Sequence, residues 1–416
     1  MPETAAETKA PEPRLRQHGG RQERTWRGPA FLSHGFRPFF LGATLFAAIA
    51  VALWLHLLQS GGTLPVYLAP VDWHRHEMLF GYASAAIAGF LFTAVPNWTG
   101  RLPVTGVPLA ALFLLWIAGR IALLVPLPVP LAVLIDAAFL PFLFALIGRE
   151  IIAGRNWRNL KVLVPVAIFG AGNIWFHAEM LTGGKGDGPV RLGFAAILML
   201  IMLIGGRITP SFTRNWLVRQ GQGRLPVPFG RLDGAVLGLS ALGLAAWVIL
   251  GTAPELALPF TLLALLHLWR QARWAPERCW PNPLLLILHA FHATIPLALA
   301  LMALAAAGGD PALRIAALHA FGIGSVGGMT LSVMTRASLG HTGRALVATP
   351  AINGMMLLLG ASLGFRLSGA VLPGAGWAIT ASGLAWIAAF ALFVLHVGPW
   401  LLTPRHRKPD SDRPGS

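Results

Sequence analysis

Thirteen histidines are scattered through a chain of 416 residues that is 55% hydrophobic and only 12% charged. Imidazole is the commonest neutral ligand for iron, copper and zinc, so these positions are where chemistry is to be sought first. The densest group is His74-Arg75-His76-Glu77, two histidines and a carboxylate just after Asp72 and Trp73. On a helix, His74 and His76 would point about 200° apart, from the ~100° step per residue, and would serve two different centres. In an extended segment both could face one metal. His177, two residues before Glu179, and His319 complete an outer set of four. His289 and His292 stand three residues apart on one helical face, and His341 sits in Arg336-Ala337-Ser338-Leu339-Gly340-His341-Thr342-Gly343-Arg344. The remaining histidines, His18, His34, His56, His267, His396 and His406, read as helix-end residues that snorkel or bond a carbonyl.

Cysteine narrows the cofactor chemistry. The single Cys279 excludes an intrachain disulfide, a Cys-rich zinc site and covalent haem attachment through C-x-x-C-H. Any haem would be held non-covalently by side chains such as histidine. Carboxylates within apolar stretches are scarce. Asp136 is the clearest, with Arg120 as its candidate partner, and no acidic ladder of the kind a proton pump needs crosses the chain.

The elements that must position these residues are membrane helices. A soluble domain carries about 25% charged residues, roughly twice the supply here. Apolar runs near twenty residues recur along the chain. Turn signals divide it into about twelve spans: 37–58, 74–98, 106–125, 127–148, 160–182, 189–212, 232–250, 254–271, 281–306, 311–336, 346–367 and 373–403. The expected architecture is therefore all-α, a twelve-helix membrane domain over 37–403. Polar, basic tails at 1–36 and 404–416 are expected to be disordered.

The net charge of +16 would suit a nucleic-acid binder, but its distribution says otherwise. With alternating spans and a cytoplasmic N-terminus, 26 of the 32 Lys and Arg residues fall on the inner side. That is the positive-inside pattern, with both termini cytoplasmic. The basicity is topological, and no nucleic-acid partner is needed. The longest internal connection, near 213–231, allows two six-helix halves, although no sequence repeat between them is evident. Gly322-x-Gly324-x-x-Gly327 imitates a dinucleotide fingerprint, but it lies inside a membrane span, where close helix packing is the better reading. Trp73, Trp98, Trp157, Trp216, Trp269, Trp274 and Trp400 fit interfacial belts.

Several segments together resemble the NnrS family. They are Arg37-Pro38-Phe39-Phe40, the run Trp73 to Tyr82, Gly89 to Gly100, Gly205-Gly206-Arg207-Ile208-Thr209-Pro210-Ser211-Phe212-Thr213, and Arg336 to Arg344. They keep family order and span nearly the whole membrane region. The resemblance implies a bacterial inner-membrane protein that carries haem and copper and is linked to nitric oxide metabolism, denitrification and nitrosative stress. It transfers only motif positions: His74, His76, Glu77, Asn97, Arg207 and His341. Arg75 stands where a small residue is commoner, either weakening a metal site or contacting a haem propionate.

The combined expectation is a haem site drawn from His76, His289, His292, His319, His341 and Arg207, and a metal site drawn from His74, His76, His177 and Glu77. Nitric oxide would be ligand or substrate, with an electron donor the sequence does not identify. Whether the protein is an enzyme stays open. The rival readings are a twelve-helix transporter of a metal or small solute, and a non-enzymatic haem sensor or assembly factor.

Overall fold

A computed structural model describes residues 26–406. Of the expected tails, 1–36 and 404–416, residues 1–25 and 407–416 lie outside the described residues, while 26–36 includes a short 3-10 turn at Ala30–Leu32 and the first residue of the first long helix. Every regular element among the described residues is helical. In hydrocarbon each backbone N–H and C=O must find a partner within its own segment, and an apolar helix meets that demand. Ten helices are long and apolar enough to cross a bilayer: α1 Phe36–Ser60, α2 Pro70–Thr99, α4 Val129–Ala153, α5 Trp157–Leu181, α6 Asp187–Leu217, α7 Arg231–Leu250, α9 Pro283–Gly308, α10 Pro311–His341, α11 Pro350–Val371 and α12 Trp377–His396. Two helices of 16 residues, α3 Val107–Ala122 and α8 Ala257–Ala272, occupy the third and eighth expected spans. Side chains such as Leu134, Ile249, Leu357 and Leu395 face outward, as lipid-facing surface requires.

Helix starts are written locally. Asp310 and Thr349 cap α10 and α11 through their side-chain oxygens, and Asn282 caps α9; a proline follows each cap at the first helical position. The two ends of the described segment meet. Arg37 Nη1 donates to the carbonyl oxygens of Leu401 at 3.0 Å and Thr403 at 2.6 Å, so α1 begins on the side where α12 ends. An even number of crossings places them there.

The internal symmetry differs from two halves of six. The chain divides into three units of four helices, and the last helix of each unit packs on the first of the next: α4 on α5, α8 on α9, α12 on α1. The second helix of each unit (α2, α6, α10) lines a common axis. Ala86, Leu200 and Met329 share one layer, Phe90, Ile204 and Val333 the next, and Trp98, Phe212 and His341 the innermost. The spacing between layers is the same in all three helices, and Thr99, Thr213 and Thr342 follow at equivalent positions. Side-chain types differ at most of these positions, which hides the repeat from a reading of sequence alone.

Two of the axial helices are locally wide-wound. Glu77–Tyr82 in α2 and Ala320–Gly328 in α10 are π-helical, and each follows a histidine, His76 or His319, at equivalent positions. Such segments concentrate at functional sites because they re-aim side chains and free carbonyls. In α2 the freed Gly81 carbonyl accepts from Trp116 Nε1 at 2.9 Å. The Gly322–Gly327 motif lies in the π segment of α10, where Gly324 lies against Thr294 and Gly328 against Phe291. It serves packing. Trp73 and Trp274 are fully buried and do not belong to the interfacial belts assigned from sequence.

Candidate metal centre

The outer end of α2 does what the 200° argument requires. His76 points inward to α4 and α5, and His74 points to α1, stacked 4.6 Å from Trp54. The four outer histidines accordingly separate into two pairs.

The first pair is His76 with His177, in a fully buried polar cluster. His177 Nε2 lies 2.8 Å from Asp136 Oδ2, and His76 Nε2 lies 3.2 Å from the same oxygen and donates to Asn173 Oδ1 at 2.8 Å. Ligand atoms of His76, Asp136 and His177 all fall within 4.8 Å of one another. Arg120 closes the other side, donating to Glu77 Oε2 at 2.5 Å and to Asp136 Oδ1. This confirms the Asp136–Arg120 pairing expected from sequence. Glu77 also accepts from His76 Nδ1 at 3.1 Å, which places it beside the converging trio rather than in it. Gly81 is required here, because a Cβ would collide with the Arg120 guanidinium and the Glu77 carboxylate.

Tyr67, in the loop before α2, seals the cluster from the outer side with its hydroxyl 2.5 Å from His177 Nδ1. Burial raises the Tyr67 phenol above its ordinary pKa, and the carboxylates of Asp136 and Glu77 raise it further. The phenol keeps its proton and still accepts from His177 Nδ1–H through its oxygen lone pair, the tautomer that turns the Nε2 lone pair toward Asp136 and that a metal at the trio requires. Neither Tyr67 nor Asn173 was among the sequence candidates, since nothing in their spacing marks them. Arg75 pairs with Asp72 at 3.1 Å and Asp187 at 2.6 Å.

Formal charges test whether a metal fits. Two carboxylates face one guanidinium, so the cluster is one positive charge short of neutrality in a site that water does not reach. A proton shared with His76 supplies that charge, and so does a metal ion held by two imidazoles and a carboxylate. The donor set suits copper, iron or zinc; Glu77 at His76 Nδ1, Tyr67 at His177 Nδ1 and Arg120 at Asp136 Oδ1 supply the hydrogen bonds that orient such ligands, and a metal at His76 Nε2 would take the place of its bond to Asn173.

The second pair is His74 with His319, brought within electrostatic reach of one another between α2 and α10, with Arg366 nearby. His319 Nδ1 donates to Ile315 O at 2.9 Å, which leaves Nε2 with its lone pair. His74 Nδ1 is buried without a hydrogen-bond partner. Two imidazoles on facing helices are what non-covalent haem ligation needs.

The remaining predicted residues lie toward the inner side. His289 Nε2 is 2.9 Å from Thr213 Oγ1, and His292 Nδ1 is 3.2 Å from Gln271 Oε1. Arg207 and His341 line an inner cavity of about 380 Å³ on the axis, together with Arg336. Arg207 lies 5.5 Å from the Phe229 ring, Arg336 4.1 Å from Phe212, and His341 5.4 Å from Phe36. A narrower, almost wholly apolar cavity continues outward from it, sharing Phe40, Phe90, Ile204, Ile208 and Val333. Asn97 donates to Thr93 O within its own helix and does not enter any of these sites.

The family model described as NnrS protein matches residues 30–405. The chain belongs to the NnrS family. No curated protein matches it. The match covers every described helix, so the sequence resemblance extends over the whole membrane region. With the multiple long apolar helices it establishes a multi-pass bacterial membrane protein of the haem- and copper-associated, nitric oxide-response class.

Proposed function

We propose that this NnrS protein binds or detoxifies nitric oxide inside the bilayer, using a transition metal in the outer cluster and haem between α2 and α10. The observation that carries the proposal is the buried convergence of His76, Asp136 and His177 in a cluster short of one positive charge. Buried charge of this kind is expensive in a membrane and persists where it serves function. His74 and His319 would hold haem, and Arg366 stands ready to pair with a propionate. When bound, haem supplies one-electron chemistry and the outer metal a Lewis-acidic centre. The chain's own contribution is to hold these ligands in fixed tautomers, to exclude water, and to admit a small uncharged molecule. Nitric oxide fits the last requirement, because it partitions into lipid and the axial cavity is lined by Ala86, Ile87, Phe90, Leu91 and their counterparts on α6 and α10.

The test is anaerobic spectroscopy with metal analysis on the purified full-length protein, before and after nitric oxide. Haem bands that shift on adding nitric oxide are expected. His74→Ala and His319→Ala should each lose them, and His76→Ala/His177→Ala should lose one metal equivalent while keeping haem. A colourless, metal-free protein that still protects cells from nitric oxide would overturn the reading.

A further inference from the structure

We infer that the cleft between α4 and α5, at their connected ends, is a binding site for one anionic phospholipid. The cleft measures about 600 Å³, a volume typical of ligand pockets. Phe144, Gly148 and Ile152 on α4 face Leu160, Val164 and Ile168 on α5 across it, and apart from Arg149 its walls are apolar. From Phe144 to Ile152 it runs eight residues along α4, about 12 Å at 1.5 Å per residue. One leaflet of hydrocarbon is about 15 Å deep, half of the ~30 Å core. The cleft therefore has nearly the length of one leaflet, and Phe144, Ile152 and Val164 on its walls are exposed to lipid. An acyl chain fills such a space, because a void forfeits the dispersion contacts of the atoms that line it.

The cations at its mouth decide which lipid fills it. Residues 144–168 carry four cations, Arg149, Arg155, Arg158 and Lys161, against the single carboxylate of Glu150. Glu150 is already shared between Arg149 at 2.8 Å and Arg101 at 2.7 Å. Arg155, Arg158 and Lys161 are exposed, and among the described residues none of their side chains makes a hydrogen bond or an ion pair. Arg149 lines the cleft itself, and Lys161 stands one turn before Val164. Arg155 occupies the three-residue turn that joins the two helices. Trp157, 62% exposed at the same level, sits where an interfacial ring meets headgroups. The charge distribution predicts this end of both helices to be cytoplasmic. A headgroup with net negative charge balances these cations, whereas a zwitterionic one brings a cation of its own.

The place of the cleft gives the lipid a role. α4 ends the first four-helix unit and α5 begins the second, so the bound chain lies in the joint between two units. The same two helices bring Asp136, Asn173 and His177 together toward their other ends. There the joint is closed by direct polar contacts; at the cleft a lipid chain takes the place of side chains. Filling the cleft holds α4 and α5 at the spacing that the outer cluster requires. The inference stands whether or not that cluster binds a metal.

The test is native mass spectrometry of the full-length protein in detergent, titrated with dioleoyl phosphatidylglycerol or dioleoyl phosphatidylcholine. One phosphatidylglycerol is expected to bind in preference to phosphatidylcholine and to raise the melting temperature. Arg149→Gln/Lys161→Gln should weaken that lipid about 30-fold, from about 1 kcal/mol for each cation near the surface. Gly148→Leu keeps every cation but fills the cleft, since a Cβ there meets only Leu163 Cδ1, at 3.4 Å. It should lose both the preferred lipid and the thermal shift. The double variant changes only exposed side chains, so its result does not depend on how Gly148→Leu folds. Glycerol phosphate, a headgroup without chains, should not displace the lipid at equal concentration. Equal binding of the two lipids, unchanged affinity in either variant, or displacement by glycerol phosphate would overturn the inference.

Discussion

Asp136 illustrates how much a single buried residue can be asked to do. It accepts from Arg120 and Asn173 and stands 2.8 Å from His177 and 3.2 Å from His76, so four neighbours depend on its charge. Replacing it with asparagine leaves the volume nearly unchanged but deprives Arg120 of one of its two carboxylates. Breaking a buried pair in this way costs about 3–5 kcal/mol, because the remaining charge stays desolvated. Asp136→Asn should accordingly lower the melting temperature of the detergent-solubilised protein and abolish metal binding at the outer cluster. A variant that melts as the wild type does would show that the pair contributes little. At this scale sequence reading found His76, His177, Asp136 and Arg120, because ionisable residues are conspicuous in apolar runs. It missed Tyr67 and Asn173, which gain meaning only from what they touch. It also set His267 aside as a helix-end residue, whereas the fold buries that ring completely against Ser240.

At the scale of the element, the π-helical turns of α2 and α10 decide where the histidines point. A regular helix predicts the angle between His74 and His76, but not which neighbours they meet. The widened turn in α2 brings Gly81 against Arg120, where no side chain fits. Gly81→Ala should displace the guanidinium and cost about 1–3 kcal/mol, typical of overpacking a filled interior. It should also weaken the metal affinity of the outer cluster without changing its ligands. Thermal melting together with a metal titration checks both effects; normal affinity in a stable variant would mean that Arg120 accommodates the methyl group freely. The apolar run starting at 311 matched its helix start at Pro311, whereas the one starting at 346 ran four residues ahead of Pro350, where the Thr349 cap sets the start. The π turns were not legible, because the same residues also satisfy an ordinary helix.

At the scale of the whole molecule, three four-helix units surround one axis and bring all the candidate sites to α2, α6 and α10 or their immediate neighbours. The positive-inside distribution predicts which way this assembly faces. A cysteine introduced at Lys185, in the α5–α6 connection, should react with an impermeant maleimide added to intact spheroplasts. One introduced at Arg405 should react only after lysis. The native Cys279 is fully buried and should contribute little background. Labelling at Arg405 from outside would reverse the topology. Composition and apolar run length are properties of the chain in its solvent, so the sequence by itself determined the membrane class, the helical segments and the family, and its charge placement predicts their orientation. Pairing is different: His76 meets His177, 101 residues on, at 4.8 Å between ring centroids, and His74 comes within electrostatic reach of His319 on a helix far along the chain. Only the tertiary structure decided those partnerships, because they depend on which helix faces pack together, and an apolar helix in lipid carries little periodic signal to say which face that is.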